Sequence, residues 1–237
     1  MRVAPIVVAI LLFGGSCGSG DSDPSTPAAG PTLQQVLADS SQAMSEVESV
    51  RFTIEQSGAD LFLDPDDVVR FDGATGRFAA PSSADALVSV TALGLAAEVG
   101  AVAIDDRTWV TNPLTGAWES APDAFSFDPV VLFDPEIGLG AVLRDGLDDA
   151  VLVSDEIDTA GRHHIRASLD SDRTSTLTGG LVEEASTFDV WIEDRTGHVV
   201  EATFDVDTAA GLTSWRLILA DYGADISIVE PELGPSG

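Results

Sequence analysis

The residues of this 237-residue chain that could do chemistry are three histidines, forty carboxylates and one cysteine, and their placement excludes most of it. His163 and His164 are adjacent in a stretch that alternates like a strand, so they point to opposite faces and cannot chelate one metal together. His198 follows the turn Arg195-Thr196-Gly197 and is expected to be solvated. Carboxylates this numerous fall close together by chance, so Asp64, Asp66 and Asp67, or Asp205 and Asp207, read as solvated turns in preference to a calcium site. Gly20-Asp21-Ser22 resembles a lipase nucleophile triplet, but no strand precedes it. No Gly-x-Ser-x-Gly elbow at the end of a strand, His-Glu-x-x-His helix or phosphate-cradling loop is present. A hydrolase would need a constellation that the chain lacks; no catalytic residue, metal or cofactor is expected, and the protein is read as a non-enzyme.

Cys17 is the exception. It follows an apolar run over 3–13 that begins after the lone charge Arg2, and the small residues Gly14, Gly15 and Ser16 lead into it. That is the anatomy of an export signal, and it is too short to cross a bilayer, which takes roughly 20 apolar residues. As the only cysteine it has no intrachain disulfide partner. A lone cysteine directly after such a run looks like a lipobox, in which signal cleavage leaves a lipidated cysteine as residue one. Gly14 stands where a lipobox has leucine. The plainer alternative is an ordinary secretory signal with an incidental cysteine. Residues 1–16 are therefore assigned as signal peptide. Residues 17–31 form a flexible tether: from Gly18 to Pro31 there is no large apolar residue to offset the entropy of ordering.

Removing 1–16 takes away one basic residue and no acidic one, leaving 10 arginines against 40 acids, a net charge of −30; there is no lysine. Nucleic acid is excluded as a partner, because affinity there comes from cations neutralising phosphates. A polybasic hold on anionic headgroups is excluded for the same reason. Attachment to the plasma membrane would run through the acyl group on Cys17, on its outer face. The remaining 221 residues can bury a substantial core.

The elements follow in order. Thr32 with Gln35 fits a capping box, and Leu33, Val36, Leu37, Met44 and Val47 form the apolar stripe of a helix of about 16 residues. The period then changes to two: Val50, Phe52 and Ile54 alternate with Arg51, Thr53 and Glu55, a strand with one wet face. Turns at Asp64-Pro65 and Asp72-Gly73 predict strands near 67–71 and 76–80. Residues 86–104 predict two more, and 107–111 with 117–119 a hairpin. Phe127-Asp128-Pro129 is echoed by Phe133-Asp134-Pro135; a brief helical turn over 130–133 is expected, then a helix capped by Asp134 and stopped by Gly146. Further strands are expected at 151–153, 162–168, 188–192, 199–204, 213–221 and 226–229, with a short helix within 171–181. Roughly ten sequential strands without alternating helices argue for one antiparallel sheet, which at that size curls. The expected fold is α+β: a strongly bent half-barrel with helices over its concave side, one domain over 32–231, and a tail over 232–237.

These residues converge on a family. Met44-x-x-Val47-x-Ser49-Val50, Trp118, the paired Phe-Asp-Pro steps with Gly138-Leu139, Val190-Trp191-Ile192, and Leu219-x-Asp221-Tyr222-Gly223 ahead of Pro231, in that order and spacing, resemble the mycobacterial-type LppX/LprAFG lipoproteins over about 31–231. The resemblance implies a hydrophobic cavity that carries acylated lipids or lipoglycans toward the outer envelope, and no catalysis. A membrane transporter is a candidate source of the cargo, and the chain is expected to be a monomer.

A carrier must offset the cost of exposing acyl chains to water, about 0.8 kcal/mol per methylene. Only a continuous apolar lining does that. The alternation alone leaves lining and dry core as equal readings; the second would make the chain a non-catalytic envelope scaffold or protein-binding lipoprotein. By position in the family, Val88 and Val90 border the cavity. Alternation adds Phe52, Ile54, Val102, Ile104, Val190, Ile192, Leu217 and Leu219.

Overall fold

The computed structural model describes residues 30–64, 66–113, 115–121, 128–154 and 156–233. The signal segment, Cys17 and most of the tether lie outside these residues, as do Pro65, Leu114 and Phe127. Helix α1, Leu33–Ser45, opens on the expected capping box: the Gln35 N–H donates to Thr32 Oγ1 at 3.3 Å, and the Thr32 N–H donates to Gln35 Oε1 at 2.8 Å. Val36 and Met44 of its stripe are buried, with Leu33, Leu37 and Val47 packed against the same core.

Six strands follow as a meander: β1 Ser49–Gly58, β2 Val69–Ala79, β3 Ser83–Ala92, β4 Leu95–Ile104, β5 Arg107–Thr111 and β6 Trp118–Ser120. Five more form a second meander: β7 Asp148–Leu152, β8 Arg162–Leu169, β9 Ser186–Glu193, β10 Val199–Thr208 and β11 Gly211–Ala220. All pairings are antiparallel, in one open sheet ordered β6-β5-β4-β3-β2-β1-β11-β10-β9-β8-β7. The first and last strands thus meet in the middle, Phe52 opposite Leu219 and Ile54 opposite Leu217. Turn chemistry fits the hairpins: Leu93 and Gly94 link β3 to β4 with φ of 52° and 78°, the left-handed pair that a two-residue loop requires.

Between the meanders, residues 128–146 cross the concave face. A 3₁₀ turn, Pro129–Phe133, is capped by Asp128, whose carboxylate accepts the Val130 N–H at 3.0 Å. Asp134 caps only a turn, accepting from the N–H groups of Glu136 and Ile137. The helix itself begins later than expected, with α2 over Leu139–Ala141, and passes into a π turn over Val142–Gly146. Helix α3, Ser171–Leu177, is N-capped by Asp170. The sheet is the bent, unclosed half-barrel expected, with helices on its concave side.

Two strand assignments change. β2 runs unbroken over Val69–Ala79, because Asp72-Gly73 makes a bulge rather than a turn: the register shifts between Phe71 and Gly73. Gly73 has φ of 150°, and a Cβ there would stand 2.7 Å from the Ile54 carbonyl, so the site needs glycine. Residues 226–229 form no strand, since β11 gives way at Tyr222-Gly223 and the Gly223 N–H bonds the Ser49 carbonyl. The chain beyond is held by Arg107 to Glu230 at 2.9 Å and by an isolated bridge between Leu233 and Trp118.

Candidate functional site

Directly opposed residues of an antiparallel pair share a face, so the register sorts every strand. On β1 the covered face holds Val50, Phe52 and Ile54, all buried, while Arg51 and Glu55 are exposed. Carrying that face across the pairs brings Val88, Val90, Val190, Ile192, Leu217 and Leu219 onto the same face as Phe52 and Ile54. Val102 and Ile104 are corrected. Val88 opposes Val99 and Ala86 opposes Ala101, so it is Ala97, Val99 and Ala101 that face inward on β4. Val102 opposes Asp85 and Trp109 and lines a groove on the outer face with Arg77 and Trp118. β4 carries a single charge, the exposed Glu98, on the same outer face as Val102 and Ile104; the apolar residues around it obscure the alternation.

The cover docks through aromatics and aliphatics. Phe133 stacks on Phe78 with centroids 4.5 Å apart and lies 6.3 Å from Phe52. Leu132, Leu139, Val142 and Leu143 are buried beside it. Ser41 of α1 donates to the Gly140 carbonyl at 2.8 Å, tying α1 to the crossover. Between cover and sheet remains a hollow of about 30 Å³. Its sheet wall is Ile54, Phe204, Trp215 and Leu217; its roof is Pro129 and Leu132; the end of α3 closes it with Leu177, Thr178 and Gly179. That is room for about one water, against roughly 300–1,000 Å³ for pockets that enclose small ligands. The concavity is therefore apolar and, in this conformation, nearly filled.

Two polar features mark the hollow. Asp128 stands at its mouth, partly open to solvent, and desolvation pushes its carboxyl above the usual carboxylate range against the opposing Val130 N–H bond. Trp215 is 5% exposed and stacks on Phe71 at 5.2 Å, and its indole N–H is buried with no hydrogen-bond partner. Neither residue was among those read from sequence as lining. Trp215 was within reach: it alternates with Leu217 and Leu219 on the same strand.

Elsewhere the three histidines, Tyr222 and Asp64 are engaged by neighbours. His163 faces the covered side and meets Asp194 at 2.8 Å, while His164 faces outward, meets Asp189 at 2.5 Å and stacks on Trp191. His198 is half-buried, stacked on Tyr222 at 4.1 Å, and burial lowers its pKa; the expectation of a solvated histidine is corrected. Tyr222 donates to the Val199 carbonyl, and burial pushes its hydroxyl far up. Asp64 caps its own loop, accepting from the N–H groups of Val69, Val68 and Asp66, bonds that lower its pKa. Among the described residues no three His, Cys, Asp or Glu side chains converge as a metal site. No described helix is long and apolar enough to cross a membrane. All ten arginines of the described residues lie within ion-pair distance of a carboxylate.

The family model described as LppX_LprAFG lipoprotein matches residues 32–228. The crystal structure of LprF from Mycobacterium bovis is similar with a TM-score of 0.63 and 18% identity, over 86% of this chain and 100% of that one. The Mycobacterium tuberculosis lipoprotein LppX is similar with a TM-score of 0.58 and 17% identity, over 83% of this chain and 98% of that one. At such identity these two structures speak for the fold. No curated protein matches the chain by sequence.

Proposed function

This chain belongs to the LppX_LprAFG lipoprotein family, and from that premise we propose that it is a tethered, non-catalytic carrier of acylated lipid or lipoglycan. It is exported, held to the outer face of the plasma membrane by acylated Cys17, and moves cargo toward the outer envelope, with a membrane transporter as a source. The observation that carries the reading is the covered face: apolar across the sheet, and roofed by a crossover of a 3₁₀ turn, one turn of α-helix and one π turn. Such a roof has few internal hydrogen bonds to break and can lift. Taking Leu132 and Phe133 off the sheet costs about 3–6 kcal/mol, and an acyl chain of ~14 methylenes contributes about 11 kcal/mol on entering. Loading is then favourable, and the cost of lifting the roof keeps the complex weak enough to release.

The test is mass spectrometry of organic extracts from purified, non-acylated protein. Acyl lipid at near-molar ratio is expected. The second reading is an envelope scaffold with a dry core, which the small volume of the closed hollow favours. Protein that comes away clean and takes up no lipid probe would establish it instead.

A further inference from the structure

Trp215 lines the hollow's sheet wall, and among the described residues of that wall its buried indole N–H is the group the fold leaves unpaired. Its ring lies on the covered face, where register sets it opposite Phe204 and Gln56. Phe204, Leu217 and the stacked Phe71 offer no acceptor. Gln56 turns its amide nitrogen to the Ala59 carbonyl at 2.7 Å and to Thr213 Oγ1 at 3.0 Å, leaving the indole unbonded. Buried donors are almost always paired, so an orphan on a cavity wall marks where a ligand acceptor belongs. Charge narrows the ligand further. Among the described residues no cation lines the hollow, the arginines are engaged elsewhere, and the carboxyl of Asp128 stands at the mouth. An ionised carboxylate or phosphate entering there would meet like charge and no counter-charge.

We infer that the hollow receives the carbonyl of an uncharged acyl ester, with Trp215 Nε1–H donating to the ester oxygen and the acyl chain running along Ile54 and Leu217. This rests on the carrier reading and adds a chemical class to it. At the wall, the ester carbonyl accepts the hydrogen bond that no protein group accepts, while a fully apolar chain segment would leave the N–H unpaired. Asp128, at the mouth, disfavours an anionic head and leaves a hydroxylated one free to accept or donate.

The experiment compares mono-oleoyl glycerol with its ether analogue, in which the carbonyl is replaced by CH₂, and with oleate at pH 8. The full chain is used with Cys17→Ser, so that no anchor of its own competes. The ester is expected to bind about fivefold tighter than the ether, the ratio that one net hydrogen bond gives, and oleate weaker than either. In Trp215→Phe, which keeps the stack on Phe71, the ether should bind as in the parent and the ester no tighter than the ether. Retained ether binding shows that the variant is folded. Equal affinity for ester and ether in the parent, or a preference that survives in Trp215→Phe, overturns the inference while leaving the carrier standing. Failure of both glycerolipids to bind overturns the carrier and this assignment together.

Discussion

The two faces of the sheet follow opposite rules. On the covered face Val50, Phe52 and Ile54 continue into Leu217, Leu219, Val190 and Ile192 with hardly a charge among them. On the outer face Arg77 pairs with Asp85, Arg166 with Asp189, and Arg216 with both Glu55 and Glu201. One face carries nearly all the burial energy; the other carries solubility and register. Pairs whose arginine stays this open to solvent contribute little each, yet they fix which side of each strand meets water. The contrast locates stability and binding on the same face, so changes there should separate the two only at the hollow.

The largest effect is expected at the centre of that face. Phe188, fully buried against Phe204, should cost about 3–5 kcal/mol when replaced by Ala; denaturant unfolding reads it, and a loss below about 1 kcal/mol would mean the covered face is not the core. Next, Ile54→Trp fills the hollow and should reduce lipid loading more than tenfold, whereas Val102→Trp on the outer face should leave loading unchanged. Equal losses would collapse the distinction between the faces. Val88→Trp is a less clean probe, because Val88 is 1% exposed in the filled part of the core, and overpacking there should cost about 1–3 kcal/mol. On the outer face, Arg216→Ala should cost less than about 1 kcal/mol, a cost that vanishes in high salt.

The smallest effect is a pH dependence. Burial holds the folded-state pKa of His198 below its ordinary 6.5. The unfolded chain therefore takes up the proton first: this contribution is complete above pH 6.5 and is lost as pH falls from there through the lower folded-state pKa. A shallow decline in Tm below pH 6.5, removed by His198→Phe, is expected. An unchanged decline would assign it to other groups.

Local rules that agreed with tertiary packing were legible in the sequence. The Thr32–Gln35 capping box and the alternation on β1 each have one physical solution, and the structure adopts it. Legibility failed where a signal had two. Asp72-Gly73 has turn chemistry, but next to the Ile54 carbonyl the same glycine serves a bulge, and β2 continues. β4 offers Val99 and Ala101 to one face and Val102 and Ile104 to the other; its one charge, Glu98, marks the second face as outer, a signal that the apolar residues around it obscure and that pairing with β3 makes plain. Residues 226–229 are apolar enough for a strand, but β1 already has β2 and β11 on its two sides. The hollow was not legible at all. Periodicity says which side chains share a face; the space left after Phe133 and Leu132 descend on them depends on three-dimensional fit.

The adjacency of β1 and β11 also sets a timetable. As the chain emerges from its N-terminus, β1 through β6 can zip up by neighbour-to-neighbour hairpins, but the second edge of β1 waits for a segment about 160 residues downstream. Until then that edge is an unsatisfied template for any passing strand. The central seam, not the rim, is therefore the last part of this molecule to close and the place where a nascent copy is most exposed to aggregation.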